Sequence, residues 1–486
     1  MKRFAFFDLD GTLRDTVHGV YPRAADVALF EGVRERLKAL RAAGFLLVGA
    51  TNQGGISQGL ITRQEVEAAN ARTQELLGDV RLDHIFYCSH HRDHDGWDCD
   101  CKKPGPGMFL DALSMFSGST LEGAFMVGDM PQDAGAAASV CITFIEAHEF
   151  RRMSVQAIVE WASAIEIPPP VRPDPDKVAG TLVGLAVGDA LGASLEFLPR
   201  SEVRQHYPQP LRKMVASGRW SKGEYTDDTQ MALVIADSLL QLRYFDPGAI
   251  ARGFVAWARS SKDVGMQTLD VLQMAEYVDR PEDCARRYYE QHPNSSAGNG
   301  AVMRCAPVAL FHLGSPSMLV ADSRRSARVT HAAPKVQSSC VVLNRWIAEA
   351  MQGCRDARPL SVASLPQPER EVWQRLMQIE KLPEGEVRSD EYTVHTLEAA
   401  AWSFLTTDSF EKAVVRAANL GDDAATVAAV TGALAGAYYG YSAIPALWMA
   451  DLVDAERIRT AALALAGVGK ATVPRSLAES GKPDLR

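Results

Sequence analysis

A proline-rich segment at residues 165–176 divides this chain into two parts whose sequence patterns differ. The segment contains five prolines. Because proline fixes φ and lacks a backbone donor, the segment favours an extended, semi-rigid spacer over a helix interior. The chain has 486 residues, and at about 150 residues per domain it is too long for one ordinary core. We therefore predict two domains, residues 1–164 and residues 177–486, with the proline-rich segment as their linker.

The first part alternates β-rich and helical runs, which predicts an α/β domain with a parallel sheet. The β-rich runs are residues 4–7, 45–50 and 124–127, and a helical run covers residues 33–43. Polar residues follow these β-rich runs: Asp8 and Asp10, Thr51 and Asn52, Asp129 and Asp133. Because ligands bind beyond the carboxyl ends of the strands in open parallel sheets, we expect these side chains to line one crevice.

These polar residues suit phosphoryl transfer through a carboxylate nucleophile. Asp8 is the candidate nucleophile, and its attack on phosphorus would give an aspartyl-phosphate. Asp10 would protonate the leaving oxygen and later activate water. The Thr51 hydroxyl and the Lys103 ammonium group would hold the phosphate. Asp129 would complete a Mg²⁺ site with Asp8.

Four segments of this part resemble the motifs of a known family. They are Phe7-Asp8-Leu9-Asp10-Gly11-Thr12-Leu13, Thr51-Asn52-Gln53, Lys103-Pro104, and Gly128-Asp129 with Asp133. They look like the four motifs of the haloacid dehalogenase superfamily of phosphatases, which implies a Rossmann-like α/β fold and hydrolysis of a phosphate monoester. We also expect Asn52 to contact the substrate and Asp10 to join the Mg²⁺ ligands. The expected substrate is a phosphorylated small molecule or a phosphorylated end.

Two residue pairs just before Lys103 predict a zinc site. The four candidate ligands are Cys88, His90, Cys99 and Cys101. These soft or borderline ligands are sufficient to close a tetrahedral Zn²⁺ site. The pattern resembles the loop of heptose bisphosphate and histidinol phosphate phosphatases, where zinc orders a substrate-facing loop, which makes its role structural. His91 and His94 are neighbours that could replace His90, although the family pattern favours His90.

The phosphatase substrate stays open at this point. Leu9 stands where the heptose bisphosphate family usually carries Arg, so specificity for sugar phosphates is uncertain. The first two motifs also resemble the phosphatase half of polynucleotide kinase-phosphatases, which act on nucleic-acid ends. The zinc ligands and the net charge of −9 disfavour that alternative, since nonspecific nucleic-acid binding depends on neutralising phosphates with Lys and Arg.

The second part is almost wholly helical in pattern, which predicts an all-α domain. Two apolar runs carry glycines four residues apart: Gly180, Gly184, Gly188 and Gly192, then Gly432, Gly436 and Gly440. Because small residues permit close backbone approach, the two helices are expected to pack against each other or to lie separately in the core. Asp189 and Glu196 interrupt the first run, and no apolar run reaches the roughly 18 residues of a membrane span. The start Met1-Lys2-Arg3 leaves no room for a signal segment, so we expect a cytoplasmic location and no membrane partner.

Two acidic clusters precede apolar helical runs in the second part. The first is Thr226-Asp227-Asp228-Thr229 and the second is Gly421-Asp422-Asp423-Ala424-Ala425-Thr426. Either cluster alone fits a helix N-cap, because Thr and Asp satisfy free backbone donors there. Adjacent carboxylates repel each other in a folded interior unless a cation or a helix N-terminus offsets their charge. The two clusters together indicate a two-metal site.

Further landmarks accompany these clusters. They are the segment from Gly188-Asp189 to Glu196, the segment from Ser296 to Arg304, the pair Thr330-His331 and the segment from Tyr392 to Phe404. Together they resemble the ADP-ribosylglycohydrolase family over roughly residues 177–470. The resemblance implies an all-α fold that acts on an ADP-ribosylated substrate with two Mg²⁺ or Mn²⁺ ions, which hold the ribose hydroxyls and polarise an attacking water.

The same resemblance implies roles for individual residues. The metal ligands would be Thr226, Asp227 and Asp228 in one half of the site, and Asp423, position 425 and Thr426 in the other. Glu196 matches the family's mobile active-site glutamate, an acid or a base. Asn299 and Gly300 would line the ribose and phosphate pocket.

One position departs from the family pattern. The family reads Gly-Asp-Asp-Ala-Asp-Thr or close to it, and the second variable Asp, a ligand shared by both ions, is Ala425 here. The loss reflects either natural decay of the site or an introduced substitution. The leading hypothesis is a bifunctional hydrolase that cleaves an ADP-ribosyl glycosidic bond and a phosphate monoester. The alternative is a module that holds ADP-ribose without turnover and directs the phosphatase to modified targets.

Overall fold

The structure is a computed structural model that describes residues 1–15, 21–95, 99–169, 171–356 and 367–468. Residue 170 of the predicted linker and residues 469–486 of the predicted second domain lie outside the described residues.

The first part of the chain folds around a five-stranded parallel sheet, accompanied by a small antiparallel ribbon. The strands are β1 Arg3–Phe7, β2 Arg14–Asp15, β3 Ala28–Leu29, β4 Phe45–Asn52, β5 His84–Cys88, β6 Thr120–Gly128 and β7 Thr143–Glu146. The sheet order is β5-β4-β1-β6-β7, and β2 pairs with β3. Every neighbouring pair in the five-stranded sheet is parallel. The predicted α/β architecture is therefore confirmed.

Helices cover both faces of this sheet. They are α1 Val33–Ala42, α2 Arg63–Leu77, α3 Arg92–Asp95, α4 Gly107–Met115, α5 Pro131–Ala138, α6 Ala147–Arg152 and α7 Val155–Ser163. Phe4 and Phe6 of β1 pack in one apolar cluster with α4 and α5, whereas Ala5 and Phe7 pack in another with α1 and α7. Since successive strand side chains point to opposite faces, β1 is buried on both sides. Asp8 consequently follows a strand fixed in the centre of the sheet.

The second part is helical, which confirms the predicted all-α fold. Its helices are α8 Pro175–Gly192, α9 Arg200–His206, α10 Asp227–Leu242, α11 Pro247–Ala258, α12 Met266–Leu272, α13 Pro281–Gln291, α14 Ala306–Phe311, α15 Pro316–Arg328, α16 Pro334–Ala350, α17 Gln367–Leu376, α18 Thr393–Leu405, α19 Phe410–Ala418, α20 Ala424–Tyr439, α21 Ala446–Asp451 and α22 Ala455–Leu465.

The helix α8 begins inside the predicted linker. Asp174 caps it by accepting a hydrogen bond from the Asp176 backbone at 3.0 Å, and Pro175 occupies the first turn. Proline is tolerated there because its missing N–H would have no partner within the helix. The last two residues of the predicted linker are therefore helical, and the position of the domain boundary stays a prediction.

The glycines of α8 and α20 bring these two helices into direct contact. A Cβ at Gly184 would lie 2.3 Å from the carbonyl oxygen of Gly432, and one at Gly188 would lie 2.0 Å from that of Ala428. The glycine spacing thus predicts the contact correctly, as the first of its two alternatives. Because the helices run antiparallel, the carboxyl end of α8 lies beside the amino end of α20.

The two parts of the chain also contact each other through α15 and β6. Ala321 belongs to the apolar cluster that contains Phe4 and Phe6, and Met318 packs against it. Oε1 of Glu122 accepts a hydrogen bond from the Ser317 backbone at 3.0 Å. In the described part of the chain, no helix is both long and apolar enough to span a membrane.

Candidate active sites

The predicted nucleophile and the predicted phosphate-binding lysine form a buried ion pair at the carboxyl end of the sheet. Lys103 Nζ donates to Oδ1 of Asp8 at 2.6 Å and lies 2.5 Å from Oδ1 of Asp133. One ammonium group therefore bridges two carboxylates. Burial raises the pKa of Asp8 to about 6, and Lys103 partly offsets that effect. A carboxylate and a cation are thus placed together where a phosphate would need both.

Three carboxylates at this edge form a group that fits Mg²⁺. Asp8, Asp129 and Asp133 each place one oxygen within 4.8 Å of the others, and Mg²⁺ prefers carboxylate oxygens. Gly11 makes room for this group, because its φ is +80° and a Cβ there would lie 2.2 Å from Oδ2 of Asp129. From the sequence, Asp133 was expected to line the crevice but was not predicted as a Mg²⁺ ligand, and the structure adds it to the candidate ligands.

Two side chains without a predicted role, Arg14 and Gln53, hold the carboxylate of Asp10. Nε of Arg14 donates to Oδ1 at 2.8 Å, and Nε2 of Gln53 donates to Oδ2 at 2.7 Å. Arg14 is fully buried. Each carboxylate oxygen accepts one of these hydrogen bonds and keeps a further lone pair, so Asp10 as a Mg²⁺ ligand stays a prediction. Gln53 directly follows the Thr-Asn pair and was within reach of sequence reasoning, whereas Arg14 gave no signal.

Thr51 and Asn52, at the end of β4, have different hydrogen-bond partners. Thr51 is buried, and its hydroxyl accepts a hydrogen bond from Gln53 at 3.2 Å. Nδ2 of Asn52 donates to the Lys103 carbonyl at 3.0 Å, and Oδ1 of Asn52 accepts from the Lys103 backbone at 2.9 Å. The amide of Asn52 therefore positions Lys103, and its predicted contact with a substrate stays a prediction.

The four predicted zinc ligands lie together. The Sγ atom of Cys88 is 3.6 Å from that of Cys99 and 3.1 Å from that of Cys101. Nδ1 of His90 is 3.2 Å from Sγ of Cys101. Ligand atoms at about 2.3 Å (sulfur) and 2.0 Å (nitrogen) from a tetrahedral ion would be separated by about 3.5 to 3.8 Å, so the group fits Zn²⁺. Within the described residues, this group does not include His91 or His94.

In the second part, the buried carboxylate of Asp189 holds the first acidic cluster in place. It accepts hydrogen bonds from the backbone N–H groups of Thr226 at 2.9 Å and Thr229 at 3.0 Å, and from the Thr229 hydroxyl at 2.6 Å. Burial raises the pKa of Asp189 to about 6. Asp189 thereby fixes the start of α10, where Asp227 and Asp228 lie. Its sequence signal was a lone acid within an apolar run.

The two acidic clusters meet where α10 and α20 begin. The Thr426 hydroxyl donates to Oδ1 of Asp228 at 3.4 Å, and Nδ2 of Asn299 donates to Oδ2 of Asp423 at 2.6 Å. Oδ2 of Asp228 is buried without a hydrogen-bond partner among the described residues. Burying such an oxygen is costly unless a cation binds it. All-oxygen donors suit Mg²⁺ or Mn²⁺, so the residues fit a hard divalent cation.

The surroundings of the two acidic clusters disfavour the charged form of several carboxyl groups. Burial, reinforced by neighbouring carboxylates, raises the pKa of Asp227 to about 7 and that of Glu196 to about 8. The pKa of Asp228 lies well above its usual range for the same reason. In the described chain, no three carboxylates here converge within 4.8 Å as those around Asp8 do. Ala425, which is fully buried, offers no carboxylate to complete such a group.

The predicted pocket residues Asn299 and Gly300 lie beside this cluster. A Cβ at Gly300 would lie 2.9 Å from Cε1 of His331, so the imidazole packs directly against the glycine. Burial lowers the pKa of His331 to about 3, which keeps the ring neutral near pH 7. The ring therefore packs against Gly300, the neighbour in sequence of the Asn299 amide that binds Asp423.

The family model of the ADP-ribosylglycohydrolases matches residues 170–474, which is more than half of the chain. The chain belongs to the ADP-ribosylglycohydrolase family. ADP-ribosylarginine hydrolase Tri1 of Serratia proteamaculans is 36% identical to this chain over 312 residues, which are 62% of this chain and 81% of the relative. The ADP-ribosyl-[dinitrogen reductase] glycohydrolase of Rhodospirillum rubrum is 33% identical over 314 residues, which are 60% of this chain and 97% of the relative.

A second domain of a hydrolase family lies at the amino end of the chain. The family model of polynucleotide kinase 3 phosphatase matches residues 3–149. D-glycero-beta-D-manno-heptose-1,7-bisphosphate 7-phosphatase of Pasteurella multocida is 38% identical over 147 residues, which are 29% of this chain and 79% of the relative. Both family resemblances are confirmed, and both domains of the chain belong to hydrolase families.

Proposed function

We propose that this protein is a bifunctional hydrolase. Its C-terminal domain hydrolyses an ADP-ribosyl glycosidic bond, and its N-terminal domain hydrolyses a phosphate monoester through an aspartyl-phosphate. The observation that carries the proposal is the presence of two separate carboxylate centres in one chain. One centre surrounds Asp8 and Lys103, and the other surrounds Asp228 and Asp423.

The phosphatase reaction follows from the groups around Asp8. An oxygen of Asp8 forms a bond to phosphorus while the ester P–O bond breaks, and Asp10 gives a proton to the leaving oxygen. Water then attacks phosphorus, Asp10 accepts its proton, and the bond to Asp8 breaks to release inorganic phosphate. Lys103 offsets the negative charge of the phosphoryl group. Mg²⁺ held by Asp8, Asp129 and Asp133 would supply further positive charge at the phosphoryl oxygens.

The glycohydrolase reaction needs an acid for the leaving group. Glu196, with its pKa raised to about 8 by burial, carries a proton at neutral pH and gives it to the leaving atom as the glycosidic bond breaks. The oxygen of a water molecule forms the new bond to the anomeric carbon, and the Glu196 carboxylate takes up the proton that this water releases. Asp228, Asp423 and Thr426 would hold a Mg²⁺ or Mn²⁺ ion, which supplies polarisation of the attacking water and binding of the ribose hydroxyls. The name of the Serratia relative supports arginine as the first group to test as the carrier of ADP-ribose.

An assay of ADP-ribose release from ADP-ribosylarginine tests the glycohydrolase proposal. We expect release that requires Mg²⁺ or Mn²⁺ and that EDTA stops. Glu196→Gln, which keeps the side-chain volume but cannot donate the proton of a carboxylic acid, should lower the rate by about 100-fold or more. A wild-type protein that neither binds ADP-ribose nor releases it with either metal contradicts the proposal.

Ala425 favours a second candidate function for this domain, namely binding of ADP-ribose without turnover. The position lies in the first turn of α20 and supplies a methyl group where the family pattern has a carboxylate. Calorimetry with ADP-ribose alongside the release assay separates the two functions. Tight metal-dependent binding with no detectable release would support the binding module.

The comparisons support two different substrates for the phosphatase domain. The match to polynucleotide kinase 3 phosphatase supports a phosphorylated nucleic-acid end, whereas the heptose bisphosphate relative and the four clustered zinc ligands support a sugar phosphate. We favour the sugar phosphate. A panel of sugar phosphates, nucleotides and 3′-phosphorylated oligonucleotides, with Asp8→Asn as the inactive control, decides between them.

A further inference from the structure

Asp100, next to candidate zinc ligands of the phosphatase domain, contacts residues of the glycohydrolase domain. The residue lies between the candidate zinc ligands Cys99 and Cys101. Its Oδ2 accepts a hydrogen bond from Nε2 of Gln337 at 3.1 Å and lies 3.8 Å from Nε of Arg328. A side chain framed by two zinc ligands of one domain therefore contacts two residues of the other.

Arg328 gathers carboxylates from both domains in a buried site. It is 4% exposed, and besides Asp100 it forms ion pairs with Asp111 of the phosphatase domain and with Glu282, whose Oε1 lies 3.4 Å away. Ser114 of the phosphatase domain also donates to Glu282 at 2.6 Å. An unpaired buried charge is strongly unfavourable. If one carboxylate moves away from Arg328, we therefore expect Arg328 and its other partners to shift as well.

The glycohydrolase side of this contact leads to the ADP-ribose pocket. Gln337 Nε2, which binds Asp100, also donates to the carbonyl oxygen of Ala332 at 2.7 Å. Arg328 ends α15, and the turn between α15 and α16 carries His331, whose ring packs against Gly300. Asp100 therefore contacts residues on both sides of the turn that carries His331. The His331 ring packs against Gly300, a predicted pocket residue.

The phosphatase side of the contact is equally fixed. The carbonyl oxygen of Asp100 accepts a hydrogen bond from the Gly107 backbone at 2.8 Å. A Cβ at Gly105 would lie 2.3 Å from the same oxygen, so the turn after Lys103 packs tightly on Asp100. Zinc ligation on both sides of Asp100 would hold its backbone in this position.

We propose that the zinc site of the phosphatase domain sets the affinity of the glycohydrolase domain for ADP-ribose. Asp100 and Arg328 act as positioning residues. When zinc leaves, Asp100 is no longer fixed by its two neighbours, Gln337 loses an acceptor, and the turn that carries His331 loses part of its support. The inference rests on the proposed function in taking ADP-ribose as the ligand of the second domain.

Calorimetric titration of the full-length protein with ADP-ribose in Mg²⁺ tests this coupling. Asp100→Asn keeps the side-chain volume and removes the charge, and it should weaken ADP-ribose binding about threefold to tenfold. Asp79→Asn is the matched control, because Asp79 makes its ion pairs with Arg34 and Lys38 on its own domain. It should leave the affinity within about twofold of wild type, and thermal unfolding of each variant checks that the fold is retained.

Zinc removal from the unmodified protein gives a second arm that does not depend on a variant. A chelator selective for zinc over Mg²⁺ should weaken ADP-ribose binding by a similar factor, and added zinc should restore it. Because linkage is reciprocal, ADP-ribose should in turn strengthen zinc retention by the same factor in wild type and less in Asp100→Asn. A purely structural role for Asp100 would not produce this reciprocal effect.

The outcomes separate the two proposals. If the ADP-ribose affinity of both the zinc-free protein and Asp100→Asn stays within about twofold of wild type, the coupling is overturned while the proposed function stands. If the wild-type protein binds no ADP-ribose with Mg²⁺ or Mn²⁺, the proposed function fails and this inference fails with it.

Discussion

The backbone N–H of Phe197 donates a hydrogen bond to the carbonyl oxygen of Asp422 at 2.7 Å, and both residues have left-handed backbones with φ of 62° and 54°. A second bond runs from the Asp422 N–H to the Leu198 carbonyl at 2.8 Å. These bonds fasten the loop that carries Glu196 to the loop that carries Asp423. A left-handed conformation costs a residue with a Cβ roughly 1–2 kcal/mol, so the contact holds a strained segment beside the candidate acid.

We expect Phe197→Gly to be more stable than Phe197→Ala by roughly 1 kcal/mol. Glycine carries no Cβ penalty at this φ, and the two variants lose the same phenyl ring, which is 61% exposed. Equilibrium unfolding in urea measures the difference. Equal stability of the two variants would show that no strain is stored at this position.

The close approach of α8 and α20 predicts a large effect for one added methyl group. Gly188→Ala places a Cβ 2.0 Å from the carbonyl oxygen of Ala428, and the helices must move apart at a cost of about 1–3 kcal/mol. Gly218→Ala is the control, because a Cβ there meets no atom within 4 Å. Its free energy of unfolding should change by less than about 0.5 kcal/mol. Similar losses in the two variants would contradict the packing argument.

Asp8→Asn should abolish phosphatase activity and leave ADP-ribose binding unchanged. The amide cannot act as the nucleophile, so the rate should fall by about 10⁴-fold or more. The affinity for ADP-ribose should stay at the wild-type value, because Asp8 follows β1 of the other domain and its carboxylate is paired with Lys103 of that domain. Residual phosphatase turnover near wild type would exclude Asp8 as the nucleophile.

The sequence predicts elements whose signals lie within a short stretch of residues. It misses contacts that form only when residues distant in sequence come together in the fold. The strand at β4 was predicted to end at residue 50, but it continues through Thr51 and Asn52 because these residues pair with Tyr87 and Cys88 of β5. The same long-range placement turns the Asn52 amide toward Lys103. In contrast, the zinc ligands lie in two short pairs between the end of β5 and the start of α4, so their spacing predicted the site, while the choice of His90 over His91 and His94 rested on the family pattern.

Purified protein should contain one zinc ion, and its removal should lower phosphatase activity about tenfold or more. The physical reason is that Cys88, Cys99 and Cys101 precede Lys103 and hold the loop that positions it. His90→Ala should lower the zinc content measured by elemental analysis, whereas His91→Ala should retain a full ion. Zinc-free wild-type protein with unchanged activity would contradict the assigned role, and loss of zinc from both His variants to the same degree would contradict the assigned ligand.

The most consequential prediction concerns position 425, where the family pattern has a carboxylate shared by two metals and this chain has a buried methyl group. Two divalent ions held close together repel each other, and a shared carboxylate is one of few groups that offset this repulsion for both. Asp228 and Asp423 remain, and Oδ2 of Asp228, which has no hydrogen-bond partner among the described residues, provides a donor for one ion. We therefore expect the protein with Ala425 to bind one of the two metal ions more weakly than a protein with a carboxylate at position 425 does.

Ala425→Asp should raise the glycohydrolase rate by about 100-fold or more, because it restores charge at both ions. Ala425→Asn is the matched control, since it has nearly the same volume without the charge, and it should give little of that gain. Calorimetric titration with Mn²⁺ should detect a second bound ion in Ala425→Asp alone. If the protein with Ala425 already hydrolyses ADP-ribosyl substrates as fast as Ala425→Asp, then position 425 is not the bridging position, and the metals must be held by Asp227, Asp228 and Asp423 without it.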